Sequence, residues 1–107
     1  MNVSLKDYSN AVLTLYARLP DTPAKARSAD RRTLEQLYSR GVSFDTLEFA
    51  LFLASARRLY RDPKKQPLPQ IRSLAYFLPV IDEISKKPTP AGYLAYLRSK
   101  VALKPTS

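Results

Sequence analysis

The chain of 107 residues has no cysteine, no histidine and no tryptophan, and it has only two glycines. Without cysteine it forms no disulfide, thiolate zinc site or thiol nucleophile, and without histidine it has no imidazole ligand, base or proton shuttle. The carboxylates are few and show no converging set for a two-metal site, and there is no glycine-rich phosphate loop. We therefore expect no enzyme, no catalytic or metal-binding residue and no cofactor.

Long apolar runs are also missing from the chain. No stretch reaches the roughly 18 apolar residues that span a bilayer. Polar residues interrupt the amino-terminal segment early, at Lys6, Asp7, Ser9 and Asn10, so this segment does not resemble a secretory signal. Together with the lack of cysteine this favours a cytoplasmic protein with no membrane partner. Binding of the basic helices to an anionic membrane is a minor alternative.

Positive charge is what the chain has in excess. Eighteen Lys and Arg residues stand against nine Asp and Glu residues, which gives a formal net charge of +9 at pH 7. Such an excess on a chain of this size favours a polyanionic partner, with nucleic acid as the leading candidate.

Helical periodicity runs through the chain, and nine prolines separate its segments. The first amphipathic helix is predicted from about residue 4 to residue 18. A second, short and basic helix is predicted to begin with Ser28 or Asp30 as its cap and to stop at Gly41.

A third helix is predicted to begin at Ser43, with Val42 and Leu47 as a hydrophobic staple around this cap. Its apolar residues cover nearly the whole circumference, which a surface helix would not show. We therefore expect it to be the long, buried central helix, extending to residue 60. The apolar residues on it are Phe44, Leu47, Phe49, Leu51, Phe52, Leu53, Leu59 and Tyr60.

Two further helical segments are predicted after a Pro-rich connection over residues 62–70. The helical period resumes at Ile71 and contains Pro79, which must kink or split the element because proline lacks a backbone donor and crowds the preceding turn. The last helix is predicted to open with Thr89 as its cap and Pro90 in its first turn. The predicted fold class is therefore all-α: a compact single domain over residues 1–107, built as a bundle of about five helices, with residues 105–107 as a flexible tail.

The basic residues fall into three groups, and the densest extends from the end of the central helix across the Pro-rich connection. Because Arg57, Arg58 and Arg61 project from one sector of a helix, they can contact several phosphates at once. The alternative is that they complement the helix dipole and cover apolar surface with their stems. The whole group is Arg57, Arg58, Arg61, Lys64, Lys65 and Arg72.

A second basic group lies at the start of the second helix, where cations oppose the helix dipole. A nucleic-acid backbone would explain this placement, and a plain solvated face is the alternative. The group is Lys25, Arg27, Arg31 and Arg32. A soluble basic tail explains a third group equally well, which is Lys86, Lys87, Arg98, Lys100 and Lys104.

Exposed tyrosines are candidate stacking platforms for single-stranded bases. The helical spacing places Tyr8, Tyr16 and Tyr38 on apolar stripes that face the core. The candidates that remain for stacking are Tyr60, Tyr76, Tyr93 and Tyr96.

Residues 34–54 can also be written as a helix-turn-helix around the turn at residues 40–42. The second of these helices carries Asp45 and Glu48 in its first turns, and phosphates would repel both carboxylates. We therefore expect a structural helical hairpin rather than a helix that reads the major groove.

Five elements follow one another between about Leu15 and Pro88. A Pro and small-residue approach over residues 22–30 leads to a helix that ends in the glycine turn of residues 39–42. A long apolar helix over residues 43–59 and a variable loop come next, and then an apolar pattern formed by Leu74, Phe77, Leu78 and Ile81. This order resembles the helical DNA-binding domain at the carboxyl-terminal end of DnaD-type primosomal proteins, which also occurs in replication initiators of phages and mobile elements.

The chain departs from that pattern at three positions. Ser73 stands where the family has Tyr, Ile81 stands where it has Trp, and Pro79 lies inside the segment. The resemblance implies binding to single-stranded or duplex DNA through the basic end of the helix pair. It also implies contact with a helicase or helicase loader during replication initiation, and no catalysis.

The predicted function is that of a nucleic-acid-binding module that binds the DNA backbone, in replication initiation or in the DNA metabolism of a phage or mobile element. RNA is the second candidate ligand. The residues expected to bind the nucleic acid are Arg57, Arg58, Arg61, Lys64, Lys65, Arg72, Arg27, Arg31 and Arg32. The alternative is a protein-interaction adaptor or inhibitor of a nucleic-acid-processing partner, with the Pro-rich connection as a stiff docking element.

Overall fold

The computed structural model describes residues 3–87, 90 and 92–105, and within these residues it contains five α-helices and no strand. The predicted all-α class is confirmed. The last two residues of the expected flexible tail, 106 and 107, lie outside the described residues. The helices are α1 (Leu5–Arg18), α2 (Ser28–Ser39), α3 (Phe44–Leu59), α4 (Leu78–Ser85) and α5 (Tyr93–Lys100), and a 3₁₀ turn (Leu74–Phe77) leads directly into α4.

Helix α1 begins where the sequence predicts it. The hydroxyl oxygen of Ser4 accepts a hydrogen bond from the Asp7 N–H at 3.1 Å, which satisfies one of the free donors of the first turn. The buried stripe of the helix includes Tyr8, Val12 and Tyr16. These residues recur at the four-residue spacing that puts them on one face.

Helix α2 begins at Ser28, but its cap differs from the prediction. The capping position is Arg27, and Asp30 lies in the first turn, where its carboxylate accepts a hydrogen bond from the Arg27 N–H at 2.9 Å. At the other end, Gly41 has a φ of 79°, a conformation that glycine adopts without steric cost. The Val42 N–H there donates to the Leu37 carbonyl at 3.0 Å, so the predicted stop is confirmed.

Helix α3 is the buried central helix that the sequence predicts. Ser43 caps it by accepting a hydrogen bond from the Thr46 N–H at 3.2 Å. Burial is continuous from Phe49 to Ala56 and then ends. The expectation of burial along the whole helix is wrong for Leu59, which is 45% exposed beyond this continuously buried stretch. Tyr60, a candidate stacking residue, is 67% exposed there.

Pro79 splits the fourth segment, as predicted. It lies in the first turn of α4, where a missing N–H leaves no hydrogen bond unmade. The helical period does not resume at Ile71, however, because Ser73 is extended and the 3₁₀ turn begins only at Leu74. Ile71 is instead a buried anchor of the connection, and its N–H donates to the Asp21 carbonyl at 2.9 Å.

Helix α5 begins at Tyr93, with Gly92 as its cap at a φ of 80°. The prediction that Pro90 occupies the first turn of this helix is wrong. Pro90 lies before the helix, where its carbonyl accepts from the Tyr93 N–H at 3.3 Å. Thr89, the predicted cap, lies outside the described residues.

The core forms around α3, which packs against α1, α4 and α5, while α2 packs on α1 and on the 3₁₀ turn. Tyr16 is fully buried there, and its hydroxyl has no hydrogen-bond partner among the described residues. Burial, and secondarily the charge of Asp30, raises the pKa of Tyr16 to about 12. The expectation that Tyr38 lies in the core is wrong, because it is 37% exposed, although its ring contacts the buried Tyr8 edge to face at 5.1 Å. None of the described helices is both long enough and apolar enough to cross a bilayer.

Candidate nucleic-acid interface

A single buried carboxylate brings two of the basic groups together. Asp30 is 1% exposed, and its two oxygens accept hydrogen bonds from the Arg27 N–H and from the Leu74 N–H, each at 2.9 Å. These bonds hold the main chain at the start of α2 beside the 3₁₀ turn. The turn begins at Leu74, two residues after Arg72. As a result, the basic group of α2 adjoins the carboxyl end of the basic connection.

Asp21 joins the same two segments at a second point. Its carbonyl accepts the Ile71 N–H, and its carboxylate accepts a hydrogen bond from the Arg58 guanidinium at 3.3 Å. Asp21 has a φ of 64°, the left-handed conformation that Asp tolerates better than most residues. The connection between α3 and α4 is thus held against the connection between α1 and α2.

Arg58 is a structural residue in this arrangement. Its side chain is only 8% exposed, and its guanidinium donates to the Pro69 carbonyl at 2.8 Å and to the Tyr76 hydroxyl at 3.1 Å, besides Asp21. The guanidinium carbon lies 5.3 Å from the centre of the Tyr76 ring, which adds a cation–π contact. Arg58 therefore holds the Pro-rich connection in place and presents little of its charge to solvent.

Arg57 is also engaged within the protein. Its two terminal nitrogens donate to the two carboxylate oxygens of Glu83 on α4, both at 2.8 Å. This bidentate bond raises the pKa of Arg57 and lowers the pKa of Glu83 from their ordinary values. Glu83 neutralises most of the local charge, so Arg57 contributes less to an anion-binding surface than the sequence suggests.

Arg61 supports the connection itself. It donates to the Gln66 carbonyl at 2.6 Å, and the Lys64 N–H donates to the Asp62 carboxylate at 2.9 Å in the turn between them. The three arginines that a helical wheel places in one sector thus bond to three different parts of the protein. Beyond them, Lys64, Lys65 and Arg72 are exposed.

Seven exposed cations remain on the two adjoining segments, and we call them the basic surface. Within the described part of the chain, none of the seven has a carboxylate within ion-pair distance. Their charge is therefore offset chiefly by solvent ions. The basic surface consists of Lys25, Arg27, Arg31 and Arg32 at the start of α2, and Lys64, Lys65 and Arg72 on the connection.

The third basic group is more ordered than a solvated tail. Arg98 donates to Glu48 at 2.6 Å, and the Lys104 ammonium donates to the Thr22 carbonyl at 2.8 Å. Arg18 in turn donates to the Lys104 carbonyl at 2.9 Å. The segment after α5 is thereby bonded to the end of α1, so Lys104 has a structural contact that its position near the carboxyl end did not indicate.

The four candidate stacking tyrosines are all exposed, which agrees with the expectation. Tyr76 carries Arg58 over its ring and lies apart from the other three. Tyr60 comes from the end of α3, and its hydroxyl donates to the Lys100 carbonyl at 3.2 Å. This bond brings Tyr60 to the end of α5, the helix that carries the remaining two tyrosines.

Replacing Arg58 by Ala is expected to lower the free energy of unfolding by about 1–3 kcal/mol, because it removes charge-assisted hydrogen bonds at a site with little access to water. Urea unfolding measures this change. Lys64→Ala is the matched control, since it removes one exposed cation from the same connection and should change stability by less than about 0.5 kcal/mol. Equal stability of the two variants would show that Arg58 does not hold the connection.

Comparison of the chain with known protein families, with curated proteins and with solved structures found no match.

The sequence did not predict the structural roles of the two aspartates that hold the basic segments together. Its patterns predict only a capping role for Asp30 and no role for Asp21. Their bonds join residues 44 and 37 positions apart, and local spacing carries no information about such contacts. A signal for Asp30 was nonetheless present, since an acid in the first turn of a helix favours a bond to the preceding backbone.

Proposed function

We propose that this protein binds DNA through the basic surface, contacting phosphates rather than base edges. The proposal depends chiefly on one observation: seven exposed cations without carboxylate partners among the described residues lie on two segments that Asp30 and Asp21 hold together. Cations fixed on adjoining segments release several counterions from one nucleic-acid backbone, which is the main source of sequence-independent affinity.

The absence of base readout follows from where the polar residues lie. The helix that a helix-turn-helix protein would place in the major groove is α3, and its first turns present Asp45 and a Glu48 bonded to Arg98. Both carboxylates would face phosphates there, which is unfavourable. The basic surface instead lies at the start of α2 and on a Pro-rich connection, so it suits phosphate contacts.

The salt dependence of DNA binding tests this assignment. Each of two double variants of the basic surface should weaken binding to all sequences about equally. Each should also reduce the slope of log affinity against log salt by about 1.8, since each phosphate contact on duplex DNA contributes about 0.9. Fluorescence anisotropy with labelled DNA at several salt concentrations measures both quantities. The variants are Lys64→Ala with Lys65→Ala, and Arg31→Ala with Arg32→Ala.

A third double variant, Lys6→Ala with Arg40→Ala, is the matched control. It also removes two positive charges, but Lys6 lies at the far end of α1, and Arg40 lies at the far end of α2, about 12 Å from Arg32 along the helix axis and 3.5 Å from the Asp82 carboxylate. Its slope should equal that of the unaltered protein. Equal losses in all three variants would mean that net charge alone attracts DNA, and would overturn the assignment to the basic surface.

Replication initiation is the process in which we propose that this binding is used, in a bacterial, phage or mobile-element setting within the cytoplasm. The resemblance to DnaD-type domains supports this role and names a helicase or helicase loader as the protein partner. Co-purification of the protein with a helicase loader on primed DNA tests the partner. If the protein binds neither DNA nor RNA at low salt, the adaptor or inhibitor function replaces the proposal.

A further inference from the structure

Three exposed tyrosines form a groove on the side of α3 that faces α5. Tyr60 from the end of α3 and Tyr93 and Tyr96 from α5 line it, and Leu53 and Leu97 form its buried floor. The groove has a volume of about 430 Å³. This lies within the range of about 300–1,000 Å³ that small ligands occupy. We call it the tyrosine groove.

Two rings of the tyrosine groove, those of Tyr93 and Tyr96, are stacked on each other, and we call this pair the platform. Tyr93 and Tyr96 are three residues apart on α5, with their ring centres 5.8 Å apart and their planes 11° from parallel. Phe49 supports Tyr93 from the core side at 5.7 Å. Because Tyr96 and Tyr60 are 54% and 67% exposed, much of both side chains is free to contact a ligand.

Positive charge surrounds the platform. The Lys100 ammonium lies over the Tyr96 ring, 5.5 Å from its centre, and its flexible stem allows it to move aside for a base. Lys87 lies in an adjoining depression that shares Tyr93 with the groove. Arg57 lines the groove at its α3 side, but its charge is offset by its bond to Glu83. Aromatic faces bordered by cations are complementary to unpaired bases on an anionic backbone.

The tyrosine groove adjoins a second depression that leads toward the Pro-rich connection. Arg57 lines both this groove and the second depression, which contains Arg58, Arg61 and Leu68 from the Pro-rich connection. One strand following this path would pass from the exposed rings to the connection that carries Lys64 and Lys65.

We propose that the tyrosine groove binds unpaired bases of single-stranded DNA, with Tyr60 and Tyr96 as the stacking residues and Lys100 as a phosphate contact. The proposal depends on the proposed function, because the basic surface must hold the same strand. It adds a preference of single strands over duplex, since bases inside a duplex already stack on one another and cannot reach the rings.

Removal of the aromatic rings tests the groove. The variant Tyr60→Leu with Tyr96→Leu keeps apolar side chains at two exposed positions but removes both π faces. Its affinity for labelled oligo(dT) of about 20 nucleotides should fall at least about fivefold, the lower limit for the loss of one stacked base. Its affinity for a duplex of equal length should change by less than about twofold. The matched control, Tyr60→Phe with Tyr96→Phe, retains the rings and should bind oligo(dT) like the unaltered protein.

Intrinsic fluorescence provides a direct signature of stacking, because the chain contains seven tyrosines and no tryptophan. Oligo(dT) should quench this fluorescence in the unaltered protein and quench it less in the Phe and Leu variants, because both variants lack the two tyrosines that stack. Equal affinity of the Leu and Phe variants for oligo(dT) would overturn the tyrosine groove while leaving DNA binding by the basic surface intact. Failure of the unaltered protein to bind either single strands or duplex would overturn the proposed function as well.

Two further binding measurements test whether the groove binds a different ligand. Ring-dependent binding of oligo(U) without binding of oligo(dT) would overturn the assignment to DNA in favour of RNA. Proline-rich peptides also dock on aromatic grooves. If a peptide of residues 62–70 binds in a ring-dependent manner and oligo(dT) does not, the groove takes a polypeptide and the proposal is wrong.

Discussion

Replacing Asp30 by Ala is expected to lower the free energy of unfolding by about 2–5 kcal/mol. The carboxylate accepts two backbone N–H groups, from Arg27 and from Leu74, in a buried position. Truncation leaves both donors without a partner, and each unsatisfied buried donor costs about 1–3 kcal/mol. Urea unfolding followed by far-UV circular dichroism measures the change.

Asp30→Asn separates the contribution of each bond. Its amide retains one carbonyl oxygen, so it accepts one N–H while its NH₂ group opposes the other donor. Its loss of stability should lie between those of the unaltered protein and Asp30→Ala. Ser43→Ala is the comparison for an ordinary helix cap, whose loss costs about 1 kcal/mol at an exposed position. If Asp30→Ala destabilises no more than Ser43→Ala, Asp30 is only a cap and does not join the two segments.

The same variant connects the fold with the proposed function. Asp30 holds the start of α2 beside the 3₁₀ turn, so its loss lets Arg27 and Arg72 move apart. Under conditions in which the variant is still folded, its DNA affinity should depend less steeply on salt. An unchanged slope in folded Asp30→Ala would show that the two basic groups bind DNA independently of this bond.

The helices whose ends have local signals could be predicted from the sequence. Helix α1 begins near residue 4, Ser43 caps α3 and Gly41 ends the turn after α2, all as expected, because each signal depends on residues within one turn of the helix. Pro79 could likewise be placed at a break, since proline constrains its own backbone. The start of α5 could not, because Gly92, rather than a hydroxyl residue, serves as its cap.

The candidate site could be predicted only in part. The sequence shows which segments are basic, but the contacts that bring these segments together join residues far apart in the chain. The basic groups follow from charge counting alone. Whether a given arginine is free depends on partners far along the chain: Arg58 bonds to Asp21, and Arg57 bonds to Glu83. A helical wheel shows that Arg57 and Arg58 share a sector, but it does not show which carboxylate or carbonyl packs opposite each of them.

The exposure of the tyrosines also depends on contacts between distant parts of the chain. Periodicity places Tyr38 on an apolar stripe, yet it is exposed, because a stripe is buried only where another element covers it. Tyr60 lies at the end of α3, outside its continuously buried stretch, where its hydroxyl donates to a carbonyl at the end of α5. Its proximity to Tyr96 is a property of the packing of α3 on α5, and the sequence could show only that both residues were candidates.

Replacing Phe77 by Ala is expected to lower the free energy of unfolding by about 3–5 kcal/mol, the usual cost of truncating a buried phenylalanine. Phe77 is fully buried at the junction of the 3₁₀ turn and α4. Its ring meets Tyr16 edge to face at 6.1 Å and Tyr76 at 5.2 Å. Because domains of this size have total stabilities of about 5–15 kcal/mol, the variant should unfold at a much lower urea concentration.

Tyr76→Ala is the control for this position, since it removes the neighbouring ring from a site that is exposed on one side. It should cost much less stability than Phe77→Ala, and the urea dependence of the two variants should remain that of the unaltered protein. A loss below about 1.5 kcal/mol for Phe77→Ala would mean that the core closes over the missing ring. The aromatic contacts from Tyr16 through Phe77 to Tyr76 would then contribute little to the support of Arg58, and the bonds of Asp21, Arg58 and Arg61 would hold the Pro-rich connection without them.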